Sequence, residues 1–270
     1  MTKKFISPAA WFSFSYPATW FELEDESDSF LFCNPDKWNG NFRISAFRGE
    51  NEQYAKDSLL LEQKENPSCV HQTVGKWACL YSNESFEEEG VDYTSHYWLF
   101  GERDLLVECS FTVQSGDSFA VVEPIIASVV LRDFSQKVQK EIIPIRLQEI
   151  AFINESFNWV AENVKKYLSK DFEGSIADLQ RLQQLIDKDY ISMNQPQIVS
   201  FMAIAIGVIL ENEVDGVNWV TVVDGKNEYP SLYVASLDTN YPITTLLMDY
   251  YATQAKPKLQ SFYQQLLAGN

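Results

Sequence analysis

Residues 12 to 16, Phe-Ser-Phe-Ser-Tyr, place apolar and polar side chains on opposite sides of an extended chain, the period-2 pattern of a half-buried strand. Pro17 lacks a ladder donor and turns the chain before Trp20. Short alternating runs rich in aromatic and β-branched residues follow at 21 to 23, 30 to 33, 42 to 47, 73 to 81, 93 to 100 and 105 to 113. Turn residues separate them, including an acidic turn at 24 to 28, Asn39-Gly40-Asn41 and a break at 87 to 90. Such short punctuation predicts antiparallel neighbours. Two helices are predicted among them, over 51 to 64 and 117 to 131; Pro124 either kinks the second or marks a later start.

The pattern changes after a polar, Lys-rich segment, 132 to 144, which reads as a linker. Leu147, Ile150, Ala151, Asn154, Phe157, Val160, Ala161, Val164 and Leu168 keep three-and-four spacing and predict an amphipathic helix. Ser175-Ile176-Ala177-Asp178 has the form of a capping box, so a second helix is expected to start at Ser175. Asn194 reads as the cap of a third, with Pro196 in its first turn and an apolar surface from 198 to 210. A hairpin is expected from 217 to 223 and 232 to 235 around Asp224-Gly225, then a closing helical stretch with Leu246, Leu247, Tyr250, Leu259, Phe262, Tyr263 and Leu266. The whole reads as α+β in two domains. Residues 1 to 135 form an antiparallel sheet with covering helices, and 142 to 270 form a mostly helical domain with a small antiparallel sheet.

Composition narrows the function classes. Hydrophobic residues make up 46% of the 270, enough for packed cores. The net charge is −17, and both halves are acidic. With Lys and Arg scattered, nucleic acid and anionic membranes are poor partners, whereas a basic protein would be steered toward this surface. The start of the chain meets Pro8 before any apolar run, unlike a signal peptide, and the apolar run from 198 to 210 falls short of the roughly 20 residues a membrane helix needs. The expectation is an unprocessed cytoplasmic chain with nothing spanning a membrane. Cys33, Cys69, Cys79 and Cys109 are widely spaced with no C-x-x-C pair, which favours reduced, packed thiols.

Catalytic signatures are missing. There is no G-x-S-x-G, phosphate-binding glycine loop, dinucleotide fingerprint or S-x-x-K. His71 and His96 lack zinc-ligand spacing, and the acidic run from 24 to 28 lacks the glycine and terminal Glu of a calcium loop. No catalytic residue, metal or cofactor is assigned, and the reading leans away from an enzyme. One thiol or carboxylate working with His96 in a cleft between the domains, as in a hydrolase, is the alternative. The loop from 34 to 41 stands out because Trp38 lies among turn residues, where burial is not automatic. Trp38, Asn39 and Asn41 are the candidate ligand-binding residues. The competing reading folds Trp38 back as a lid on the sheet. Trp219, on a strand, is expected in the core.

Tyr16-Pro17-x-x-Trp20, preceded by Phe12-Ser13-Phe14 and followed by the acidic turn and Asn41-Phe42-Arg43-Ile44-Ser45, resembles the start of PsbP-like domains, the fold shared with the Ran-binding Mog proteins. The helix near 119 to 130 sits where that fold ends. Mog proteins bind a GTPase and PsbP binds a photosynthetic complex, so the resemblance implies an adaptor or binding role and transfers no catalytic residues. Gly207, Gly216, Trp219, Val222, Asp224 and Pro242 resemble a small bacterial domain family of uncharacterised role. Together the halves resemble bacterial two-domain proteins of unknown function. The expectation is therefore a cytoplasmic, acidic, non-enzymatic protein-binding or adaptor module, an immunity protein being one such module. A hydrolase or a small-ligand-binding protein is the alternative.

Overall fold

The structure is a computed structural model that describes residues 1–23, 29–133, 136, 140–224, 227–243, 247–253 and 256–268. It divides into two compact units, Met1–Val138 and Gln139–Asn270. Both are α+β with antiparallel sheets.

In the first unit, β1 (Thr2–Ile6), β2 (Phe12–Pro17) and β10 (Val130–Leu131) make a three-stranded sheet. Seven strands make the larger sheet: β3 (Phe21–Leu23), β4 (Ser29–Cys33), β5 (Asn41–Arg48), β6 (Val70–Val74), β7 (Trp77–Glu88), β8 (Val91–Glu102) and β9 (Leu105–Gln114). Their order is β3-β4-β5-β9-β8-β7-β6, so neighbours along the chain are mostly neighbours in space. Phe12, Phe14 and Tyr16 are buried while Ser13 and Ser15 are not, as the alternation requires. Their rings meet the larger sheet edge-on, with Phe14 at 5.2 Å from Phe32 and 5.8 Å from Phe42. Trp20 is 1% exposed and stacks on Phe111 at 6.2 Å. The acidic turn that follows it in the sequence, 24 to 28, lies outside the described residues. Helix α1 (Tyr54–Glu65) covers one end of the outer sheet face, where Ala55 packs against Gly101.

Four local expectations change in this unit. The segment before Pro8, read only for a leader, forms β1 and pairs with β2 from Thr2↔Pro17 to Ile6↔Ser13; Thr-Lys-Lys-Phe-Ile does not alternate, so no period declares it. The single strand expected over 73 to 81 is two, because Gly75, at φ +58°, turns the chain between β6 and β7. A Cβ there would lie 2.9 Å from the Ala127 backbone. The helix expected over 117 to 131 shrinks to α2 (Val122–Ala127), with Pro124 in the first turn, where its missing N–H costs nothing. Val130 and Leu131 leave the helix to pair with β2.

In the second unit, α3 (Leu147–Leu168), α4 (Asp178–Asp187), α5 (Pro196–Glu213), α6 (Met248–Thr253) and α7 (Leu259–Ala268) accompany a four-stranded sheet. Its strands run in the order β11 (Glu141–Pro144), β12 (Val217–Asp224), β13 (Asn227–Val234) and β14 (Thr239–Tyr241). Helix α5 is long and apolar enough to cross a membrane by length and composition, but ten of its residues are buried in the core of this unit. The supposed linker ends in a strand: Ile142 and Ile143 suit a sheet, and Pro144 is tolerated because β11 is an edge. Helix α4 starts at Asp178 rather than Ser175, and α5 is preceded by Gln195 rather than capped by Asn194. Strand β13 begins at Asn227, earlier than expected, and pairs back to Asp224; Gly225 and Leu246 lie outside the described residues.

Candidate recognition surface

The loop carrying the three candidate residues is fixed at both ends. Asn34 Oδ1 accepts the N–H groups of Asp36 and Lys37 at 3.1 and 3.3 Å, an Asx turn that sets the loop's entry. At the exit, Gly40 adopts φ +118° against the Phe111 ring, where a Cβ would come within 2.2 Å of a ring carbon. Only glycine fits both the space and the backbone. Asn41 then enters β5 opposite Thr112.

Trp38 is held and still open. Its indole Nε1–H donates to Asn41 Oδ1 at 2.8 Å, and its ring meets Tyr93 edge-on at 6.1 Å and 84°, yet the residue stays 43% exposed. The lid reading therefore covers only part of the ring. Asn39 is exposed, and its side chain makes no hydrogen bond among the described residues. Of the three, Trp38 and Asn41 are brought together and Asn39 is not.

Two aromatics that sequence reasoning missed complete the surface. Strands β7 and β8 are joined by Glu89-Gly90, both at positive φ, the geometry of a two-residue hairpin turn. Phe86 and Tyr93, equidistant from that turn, face each other at 5.7 Å with rings 26° apart. That symmetry about the break at 87 to 90 was the available signal. Phe86 is 40% exposed, so Phe86, Tyr93 and Trp38 form a continuous aromatic platform at the uncovered end of the sheet. Beside it runs a polar row in register, Asn41–Thr112–Ser95–Glu84, in which the Thr112 and Ser95 hydroxyls lie 2.7 Å apart. Side-chain alternation puts Glu84 and Glu88 on the same face as Phe86. Glu84, Glu87, Glu88, Glu89 and Asp92 are all exposed, and none is in an ion pair among the described residues. The platform is rimmed by uncompensated negative charge.

The catalytic alternative finds no constellation within this unit. His96 is 8% exposed, its Nδ1 lies 2.7 Å from the Tyr81 hydroxyl, and its ring centre is 4.0 Å from that of Phe119. No thiol or carboxylate hydrogen-bonds it among the described residues. Burial lowers the His96 pKa, as expected of a neutral packed ring. All four cysteines are free; burial raises each thiol, Cys79 to about 12 and Cys109 well above its ordinary value, so none is poised as a thiolate. His71 is exposed, with Nε2 3.0 Å from the Gln63 amide nitrogen. No group of three or more metal-ligating side chains occurs among the described residues.

Residues 1–154 match the family described as a domain of unknown function, DUF3805, and the chain belongs to that family. Residues 178–263 match a second domain of unknown function, DUF3806. A crystal structure from Bacteroides thetaiotaomicron VPI-5482 is 42% identical, covers 99% of both chains and superposes with a TM-score of 0.93. The solution structure of cyanobacterial PsbP (CyanoP) from Synechocystis sp. PCC 6803 is 10% identical, covers 48% of this chain and 92% of its own, and has a TM-score of 0.27. The crystal structure of LpqN, involved in cell envelope biogenesis of Mycobacterium tuberculosis, is 12% identical over 45% of this chain and 83% of its own, with a TM-score of 0.30. No curated protein matches the chain.

Proposed function

We propose that this chain is a non-enzymatic recognition protein whose first unit binds a basic segment of a protein partner on the Trp38–Tyr93–Phe86 platform. The observation that carries this reading is the state of Trp38: locked by Asn41 and Tyr93, yet 43% exposed. A rigid exposed aromatic loses little conformational freedom on binding and supplies a large contact area, the property of an interface anchor. Around it, exposed carboxylates supply the attraction. Lys and Arg side chains gain from both, through ion pairing and through contact with the ring faces. An adaptor working in the cytoplasm fits the four free thiols, which a reducing compartment preserves.

Selection of short random peptides on the full chain tests the reading. Lys- and Arg-rich peptides should be enriched, weaken as salt rises, and lose about tenfold or more in affinity on the Trp38→Ala and Phe86→Ala proteins. Enrichment of acidic peptides, or of basic ones that bind both variants as tightly as the native chain, would remove the platform as the binding surface.

A further inference from the structure

The second unit contains a cavity unrelated to that platform. It has a volume of about 440 Å³, within the usual range for small-molecule sites. Its walls come from α3, α5 and β12. Ile150, Ile153 and Phe157 follow helical spacing along α3, Val208 and Glu211 lie one turn apart on α5, and Trp219 closes the floor. Trp219 reaches that position because α5 has Gly207 beneath it, where a Cβ would stand 2.6 Å from the indole ring.

Charge selects the occupant. Glu211 is the sole ionisable residue lining an otherwise apolar cavity, apart from the carboxamides of Asn154 and Asn218. The Trp219 indole N–H is buried beside the Glu211 carboxylate without the geometry of a formed hydrogen bond. Partial burial also raises the Glu211 pKa, against the pull of the Trp219 backbone and indole N–H groups, although the residue stays exposed at the rim. A carboxylate ligand would add a like charge. A neutral apolar ligand would strip water from Glu211 and return nothing. A divalent cation would find one carboxylate where it needs several oxygens.

We propose that this cavity binds an apolar monocation, a primary amine with an aliphatic or aromatic body, with Glu211 as counter-charge. The ammonium group has three N–H donors, and Glu211, Asn154 and Asn218 offer three acceptors around the apolar walls. Phe157 and Trp219 add ring faces that favour a cation. Nothing in this inference depends on the peptide-binding reading, since the two sites lie in different units.

The probe is 2-phenylethylamine, with 2-phenylethanol and 3-phenylpropionate as matched neutral and anionic controls, titrated into the full chain by calorimetry at neutral pH. The amine should bind, the carboxylate should not, and the alcohol should bind weakly. Glu211→Gln should cost the amine about tenfold or more in affinity while leaving the alcohol unchanged. Glu211 is exposed at the cavity rim, so this variant should keep the native thermal transition, and Val208→Phe, which fills the cavity, should abolish binding of both the amine and the alcohol. Equal affinity of amine and alcohol, undiminished amine binding to Glu211→Gln, or no amine binding up to about 10 mM would each overturn the assignment.

Discussion

Replacing Asp178 with alanine should unfold the second unit at markedly lower denaturant. Its carboxylate is 0% exposed and collects four donors: the backbone N–H groups of Glu173 and Ser175 at 3.0 Å each, the Ser175 hydroxyl at 3.2 Å and the Arg181 guanidinium. It thereby staples the turn at 173 to 175, whose Gly174 packs near Phe157 and Val208 in the walls of the amine cavity. The Ser175 hydroxyl can rotate toward water, and Arg181 is 28% exposed, so its pairing is discounted for screening. The two backbone N–H groups are fixed in the turn and cannot rotate away, but their bonds are only part-buried. At the low end of roughly 1–3 kcal/mol for each orphaned donor, the loss should be about 2 kcal/mol, or roughly 7 °C in the melting temperature of a unit this size.

Because two units can unfold separately, the measurement is hydrogen exchange on peptides spanning 178 to 187, followed through urea. Asp178→Asn, which keeps an acceptor but loses the charge, should fall between the two. The pH dependence fixes the sign. Burial pushes this carboxyl up, but the Ser175 and Glu173 N–H groups and Arg181 outweigh it and leave the folded pKa lowered. Its stabilisation is therefore present above the unfolded value near 3.9 and is lost as pH falls through the folded pKa. The native chain should lose stability below about pH 4 more steeply than Asp178→Asn does. A loss under about 1 kcal/mol for Asp178→Ala would refute the reasoning, since it would mean that the turn finds other acceptors.

Two further outcomes follow from packing and titration. Gly207→Ala gains about 1 kcal/mol of helix propensity but drives a methyl into the Trp219 ring at 2.6 Å, with overpacking worth about 1–3 kcal/mol, so urea titration should show net destabilisation; a more stable variant would be the contrary result. His96, its pKa lowered by burial, is neutral in the folded state, so its contribution is present above the unfolded value near 6.5 and is lost as pH falls toward the folded value. The stability of the first unit toward urea should fall from pH 7 to pH 5, with His96→Phe removing much of that slope, and an unaltered slope in the variant would dismiss His96 as its source.

The strands of the first unit were legible because single residues alternate cleanly there, as in Phe12-Ser13-Phe14-Ser15-Tyr16 and in 105 to 113. What escaped depended on partners. Val130 and Leu131 belong to a helical pattern by spacing and to a sheet by contact, and the hydrogen bonds of β2 decided. Glu141 to Pro144 looked like a linker because its strand character shows only beside β12. At the candidate surface, Trp38 could be found because an aromatic among turn residues is anomalous. Phe86 and Tyr93 look ordinary in their strands and acquire meaning only as cross-strand neighbours.

Both candidate sites also rest on the same local device. In each unit a glycine meets an aromatic ring so closely that a Cβ would collide: Gly40 on Phe111 at 2.2 Å, and Gly207 on Trp219 at 2.6 Å. The first contact anchors the loop that exposes Trp38; the second seats the indole that floors the amine cavity. Cores built by burial alone tolerate volume-conserving exchange among apolar residues. A ring lying on bare backbone allows no such exchange on the glycine side, so it fixes orientation as well as burial. For recognition that difference is decisive, since an anchor free to turn would surrender on binding the entropy that its rigidity saves. Backbone contact thus seats Trp219 directly and fixes the loop from which Asn41 and Tyr93 hold Trp38, even though one indole is 8% exposed and the other 43%.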